Sequence, residues 1–120
     1  MIAVLIVDPS CEARHPLRDL LEEKGLQVLE AEGIDDAEAH RPLSTYDLII
    51  TGLDVEGGSG TDLLGRAAAV PVIVTAGAGS LRTAIDCIRN GATDFLPRPL
   101  DRDEARMVID RALAESANTA

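Results

Sequence analysis

The chain has 120 residues, 46% of them hydrophobic but only 2% aromatic, and a formal charge of −10. That length suits a single domain, residues 1–120, burying roughly two-thirds of the surface of the unfolded chain, with a core of Ala, Val, Leu and Ile and with Tyr46 and Phe95 as its only rings. The acidic balance argues against direct nucleic-acid binding, which needs clustered Lys and Arg, and no apolar run nears the roughly 20 residues that span a bilayer.

In chain order, the first apolar run is Ala3 to Val7, short enough for a strand. It ends at Asp8 with no basic leader or small-residue cleavage site, so a soluble cytoplasmic protein is expected. Leu17, Leu20 and Leu21 then share one face of a helix that Gly25 closes. A second strand at Val28 to Ala31 leads to a short helix, roughly Asp36 to Arg41, stopped by Pro42. Leu48 to Ile50 and Val72 to Val74 read as the next strands. Leu81, Ala84, Ile85 and Ile88 follow helical spacing, with Ser80 as a cap and Gly91 as the stop. Phe95 and Leu96 form a last short strand. Ala105, Val108, Ile109 and Ala112 mark a final helix, with Asp101 as its cap and Glu104 placed for a capping box. Ser116 to Ala120 read as a frayed tail or the start of a linker.

Strand and helix thus alternate five times, and the strands are continuously apolar. Both features predict an α/β fold with a parallel sheet covered on both faces. Charge is uneven: residues 1–60 hold 13 acidic and four basic side chains, whereas residues 61–120 hold eight and seven. A protein partner is better placed on the second half. Cys11 and Cys87 are too few for a disulfide scaffold or a four-cysteine zinc site and are expected as reduced thiols.

Functional groups of such a sheet gather beyond the carboxyl ends of its strands. Those ends are Asp8, Gly52, Thr75 with Ala76, and Arg98. The run from Tyr46 to Gly60 resembles the third strand and following loop of a response-regulator receiver domain. The run Gly91-Ala92-Thr93-Asp94-Phe95-Leu96-Pro97-Arg98-Pro99 resembles that family's Gly-Ala-x-Asp-(Phe/Tyr)-Leu-x-Lys-Pro signature at every fixed position except the lysine. The resemblance covers essentially the whole chain and is nearest to receivers of sigma-54-type transcriptional regulators. It implies a flavodoxin-like, doubly wound sheet of five parallel strands in the order 2-1-3-4-5, and a place in two-component phosphorelay signalling.

It also implies a degenerate site. The family's acceptor aspartate falls at Gly52, and its acidic pair falls at Asp8 and Pro9, leaving one of three carboxylates. Magnesium binding is therefore expected to be weak or absent, because one carboxylate offers little to offset dehydration of the ion, and no cofactor is expected. Five residues on from Pro71, where the family carries a hydroxyl, stands Ala76, with Thr75 the alternative if the strand is shifted. Arg98 replaces the phosphate-sensing lysine, with an ion pair to Asp8 as its simplest role. Pro99 matches a position whose preceding peptide bond is cis. Asp54 is a displaced acceptor only if its side chain reaches near-attack geometry, and Glu56, Gly57, Gly58 and Gly60 make its loop permissive. Phe95 matches the aromatic switch position, with plain core packing as the alternative.

The expected function is a non-enzymatic pseudo-receiver that regulates an attached or partner output domain through phosphorylation-independent protein contacts. A histidine kinase is a further partner by inheritance. Arg82, Asp86, Arg89, Arg106 and Asp110, with Arg102, Asp103 and Arg111, form a mixed-charge face for a homodimer through the fourth and fifth helices. The alternatives are a phosphorylatable regulator using Asp54 and a nucleotide-binding α/β domain using Gly77-Ala78-Gly79-Ser80, a weak motif without the third glycine of a dinucleotide fingerprint. His15 and His40 lie away from the strand ends and support no enzyme.

Overall fold

The computed structural model describes residues 2–55, 58–59, 62–67, 69–77 and 81–118. The order is β1 (Ala3–Val7), α1 (Cys11–Glu23), β2 (Gln27–Ala31), α2 (Ile34–His40), a 3-10 turn (Leu43–Thr45), β3 (Leu48–Gly52), β4 (Asp54–Val55), β5 (Gly58–Ser59), α3 (Asp62–Ala67), β6 (Val72–Ala76), α4 (Leu81–Arg89), β7 (Asp94–Pro97) and α5 (Arg102–Asn118). Five parallel strands form one sheet in the order β2-β1-β3-β6-β7, while β4 and β5 pair as a separate antiparallel ribbon. Counting only the strands of the main sheet, this is the expected 2-1-3-4-5 order.

Side chains on successive strand residues point to opposite faces, and the two faces bury different helices. Val4, Ile6, Leu48, Ile50, Ile73 and Leu96 pack with Leu17, Leu20 and Leu21 of α1 and Ala105, Val108 and Ile109 of α5. Leu5, Val7, Ile49, Val72 and Val74 pack on the other face with Ile34 and Ala37 of α2 and Cys87 of α4. Each fully buried leucine, such as Leu20 or Leu21, contributes about 1.5–3 kcal/mol relative to an exposed one. Asp47 clamps the start of the sheet, since its carboxylate accepts from Ala3 N at 2.9 Å while its own amide donates to Ala3 O at 2.8 Å.

The helix ends follow from identifiable residues. Ser10 Oγ accepts from Ala13 N at 3.2 Å and caps α1. Gly25 (φ 77°) and Gly91 (φ 108°) end α1 and α4 in left-handed conformations. There Leu26 N donates to Leu21 O and Ala92 N to Cys87 O, closing a Schellman turn on each helix. Asp101 Oδ1 accepts from the amides of Asp103 and Glu104, capping α5 as expected.

Several boundaries differ from the sequence expectation, most strands by one or two residues at an end. The second helix is Ile34–His40 instead of Asp36 to Arg41, because buried Ile34 starts it and Arg41 is already extended (φ −171°, ψ 161°). The helix α5 runs to Asn118 and takes in the first part of the tail expected to fray, while 119 and 120 lie outside the described residues. The short α3 and the β4–β5 ribbon carry too few apolar residues to show a period. Ser80, expected as a cap, also lies outside the described residues. No helix among the described residues is long and apolar enough to cross a membrane.

Candidate functional site

The pleat decides which strand-end residues meet. Ile6, Ile50, Ile73 and Leu96 all face α1 and α5, so the residues two further on, Asp8, Gly52, Thr75 and Arg98, come up on that same face. In the β3–β6 register Thr75 is level with Gly52, and Ala76 is level with Pro97 in the β6–β7 register. Thr75, the alternative to Ala76, is therefore the residue level with Gly52 on that face. Thr75 is buried, and its carbonyl accepts from Leu53 N at 2.9 Å.

Asp8 is only 6% exposed. Its amide donates to Ala31 O at 2.9 Å, its carbonyl accepts from Arg14 Nη1 at 3.2 Å, and its Oδ1 accepts from Ser10 N at 2.9 Å. Its Oδ2 faces Arg98 Nη1 at 3.9 Å, an ion pair too long for a hydrogen bond. The nearby Arg14 guanidinium is directed to Glu30, 3.3 Å away. The Asp8 carboxylate also leans over Gly52. A β-carbon built on Gly52 would lie 2.6 Å from Asp8 Oδ2 and 3.4 Å from its Cγ. Non-bonded carbon atoms sit roughly 3.5–4.0 Å apart, so residue 52 has no room for a side chain while Asp8 holds this position.

Arg98 follows β7, donates its amide to Ala76 O at 2.8 Å, and is joined to Pro99 by a cis peptide bond, as the resemblance implied. Its Nε is buried without a hydrogen-bond partner among the described residues. Arg98, Thr75, Pro99 and Leu100 form one wall of a cleft of about 240 Å³, and Glu12, Ala13, Pro16 and Leu17 of α1 form the other.

A family model described as the response regulator receiver domain matches residues 4–110. The chain belongs to the response-regulator receiver family. This receiver domain is 33% identical over 113 residues to the response regulator protein PilR of Pseudomonas aeruginosa, a match that covers 91% of this chain and 25% of that protein. It is 31% identical over 116 residues to the nitrogen assimilation regulatory protein NtrX of Azorhizobium caulinodans, covering 92% and 26%. The crystal structure of NtrX from Brucella abortus in complex with ADP gives a TM-score of 0.89 at 28% identity, over 99% of this chain and 29% of that one. The solution structure of the beryllofluoride-activated NtrC4 receiver domain dimer gives 0.86 at 28% identity, over 97% and 99%. These relatives agree with the resemblance to receivers of sigma-54-type regulators. The chain spans about a quarter of the length of the curated relatives it matches.

The receiver family implies a magnesium ion, and the described residues do not fit one. Among the described residues Asp8 is the single carboxylate that the strand ends bring to the site, and its two oxygens are turned to Ser10 N and to a guanidinium. Pro9 brings no side-chain oxygen, and Gly52 brings no side chain. The Asp54 side chain lies outside the described residues, as do Glu56, Gly57 and Gly60 of its loop and Ala78 to Ser80 of the glycine-rich turn.

The residues expected at a switch and at an interface separate into two groups. Phe95 is half-buried, packs against the α2–α4 side of the core and is level with Val74 in the sheet. Ile85 and Ile88 on α4 and Met107 on α5 are exposed. Around them Arg82, Asp86, Arg89, Asp103 and Arg106 are exposed, and none is in an ion pair among the described residues. Asp110 departs from the expectation, since it is bound to Lys24 of the same chain. Arg102 is likewise bound to Glu23, and Arg111 Nη2 lies 3.0 Å from Asp94 Oδ2. Partners more than 70 residues away in sequence carried no local signal for the first two pairs. The sequence reading also missed Ser10, whose hydroxyl caps α1 while its amide fixes Asp8.

Proposed function

We propose that this receiver domain signals without accepting a phosphoryl group, through standing contacts with protein partners, and so regulates an output domain that is attached to it or brought by a partner. The observation that supports this best is the Asp8 carboxylate lying where a residue-52 side chain would begin. An acceptor there needs both a carboxylate on residue 52 and space in front of it, and the chain supplies neither. With one carboxylate already turned to Arg98, magnesium binding is weak or absent and the domain catalyses no phosphoryl transfer of its own.

The contact surface is the α4–α5 face. Two isoleucines and a methionine stand exposed there amid charges of both signs that have no pairing within the described chain. Such a face suits a second copy, because Arg89 or Arg82 of one copy can meet Asp86 or Asp103 of the other across a two-fold axis. The solved NtrC4 relative is a receiver dimer. The acidic surface favours protein partners, an inherited histidine kinase among them, over nucleic acid.

Incubation with magnesium and a small acyl phosphate, followed by intact mass, tests the reading. No mass gain is expected. A gain that Asp54→Ala abolishes would replace it with a displaced acceptor.

A further inference from the structure

We infer that Asp8 and Arg98 form a built-in latch that holds the β7–α5 junction to β1, and that glycine at position 52 is what makes room for it. In taking residue 52 as the family's acceptor position, this inference rests on the function proposed above; the latch itself is a matter of packing and charge within this chain.

Three features carry it. First, a residue-52 β-carbon would lie 2.6 Å from Asp8 Oδ2, so the Asp8 carboxylate must shift before residue 52 can carry a side chain. Second, the Asp8 side chain is held at Oδ1 by Ser10 N, so it cannot swing aside without losing a bond that a buried carboxylate needs. Third, a carboxylate this buried requires a counter-charge, and Arg98 is the cation that faces its free oxygen. Arg98 sits between β7 and the Asp101 cap of α5. Its attraction to Asp8 therefore bears on the segment that leads into α5, and with it on one edge of the α4–α5 face.

The device differs from a ligand-operated switch because both of its charges belong to the chain. A ligand can shift a two-state element only by its differential affinity for the two states. An internal ion pair biases the same element at all times. Gly52 is thus a working part of the latch as well as a missing acceptor.

A double-mutant cycle on the full 120-residue chain tests this, with urea midpoints for Gly52→Ala, Asp8→Ala and the pair. Gly52→Ala is expected to lower the midpoint in the presence of Asp8 and to leave it unchanged or raise it in the Asp8→Ala background, where the added methyl has space. Should Gly52→Ala alone fail to fold, the double variant is still expected to fold. Equal losses in both backgrounds, or a double variant that does not fold, would overturn the inference. Amide resonances supply the second readout. Gly52→Ala is expected to shift those from Arg98 to Asp101, and changes confined to the neighbours of residue 52 would count against a latch. A phosphoryl mass gain by the unmodified chain would sink the proposed function yet leave the outcome of this cycle standing, so the two fail separately.

Discussion

Arg98 Nη1 stands 3.9 Å from Asp8 Oδ2, where it is the counter-charge to a carboxylate that the fold has almost wholly removed from water. Breaking a fully buried pair from one side costs about 3–5 kcal/mol. Arg98 is 39% exposed, so solvent screens its share. Arg98→Gln is expected to lower stability by about 1 kcal/mol in urea denaturation. Combining it with Asp8→Asn should recover part of that loss, because no unpaired charge is then left behind.

Tyr46 gives a prediction of opposite sign. Its hydroxyl is buried without a hydrogen-bond partner among the described residues, while Arg41 lies 4.7 Å from the ring centre. Removing an unsatisfied polar atom recovers part of its desolvation penalty, so Tyr46→Phe should stabilise the domain by about 1 kcal/mol. Burial also raises the phenol above its ordinary value of 10.0, with Arg41 acting weakly the other way. Above about pH 10 the unfolded phenol loses its proton before the folded one does, so the folded state holds more protons and stability falls as pH rises. Melting curves of the parent should show that alkaline loss, and Tyr46→Phe should reduce it, leaving the part that the raised Cys87 thiol contributes.

The two thiols should react unequally. Cys11 is exposed at the start of α1. Cys87 is buried, and burial first, then the charge of Asp86, raises its thiol above the ordinary value. A thiol reagent at pH 8 is expected to label one cysteine quickly in the folded chain, and Cys11→Ser should remove that fast phase. Rapid labelling of Cys87 would mean that α4 does not stay packed on the sheet.

Self-association should respond to the exposed isoleucines and not to the charges already used within the chain. Ile88→Asp is expected to weaken any dimer seen by sedimentation at high concentration. Asp110→Ala, which removes only the partner of Lys24, should leave association unchanged and cost about 0–1 kcal/mol of stability. Loss of association on Asp110→Ala alone would move the interface toward α1.

The elements that bury long apolar faces were legible in the sequence, and those held by single contacts were not. Ala3 to Val7 and Leu48 to Ile50 read as strands because all of their residues are buried, as a doubly covered sheet requires. Gly25, Gly91 and Asp101 announced helix ends through backbone chemistry that each residue carries with it. The six-residue α3 and the two-residue strands of the ribbon have no period to detect. At the site, Asp8, Gly52 and Arg98 were found by position. Choosing between Thr75 and Ala76 needed the sheet register, which turns a one-residue shift into a change of face. The leaning of Asp8 over Gly52 is a matter of side-chain direction in three dimensions, and no spacing along the chain encodes it.

The central claim, that this receiver domain works without a phosphoryl group, is tested most directly by thermal unfolding with and without magnesium plus beryllofluoride, a mimic of aspartyl phosphate. A ligand that binds only the folded state stabilises it by RT ln(1 + [L]/Kd), about 2.7 kcal/mol at a hundredfold excess over Kd. The account predicts an unchanged melting temperature for the chain as it stands. A clear rise would contradict it, and loss of that rise in Asp54→Ala would show that the acceptor has moved by two residues instead of disappearing.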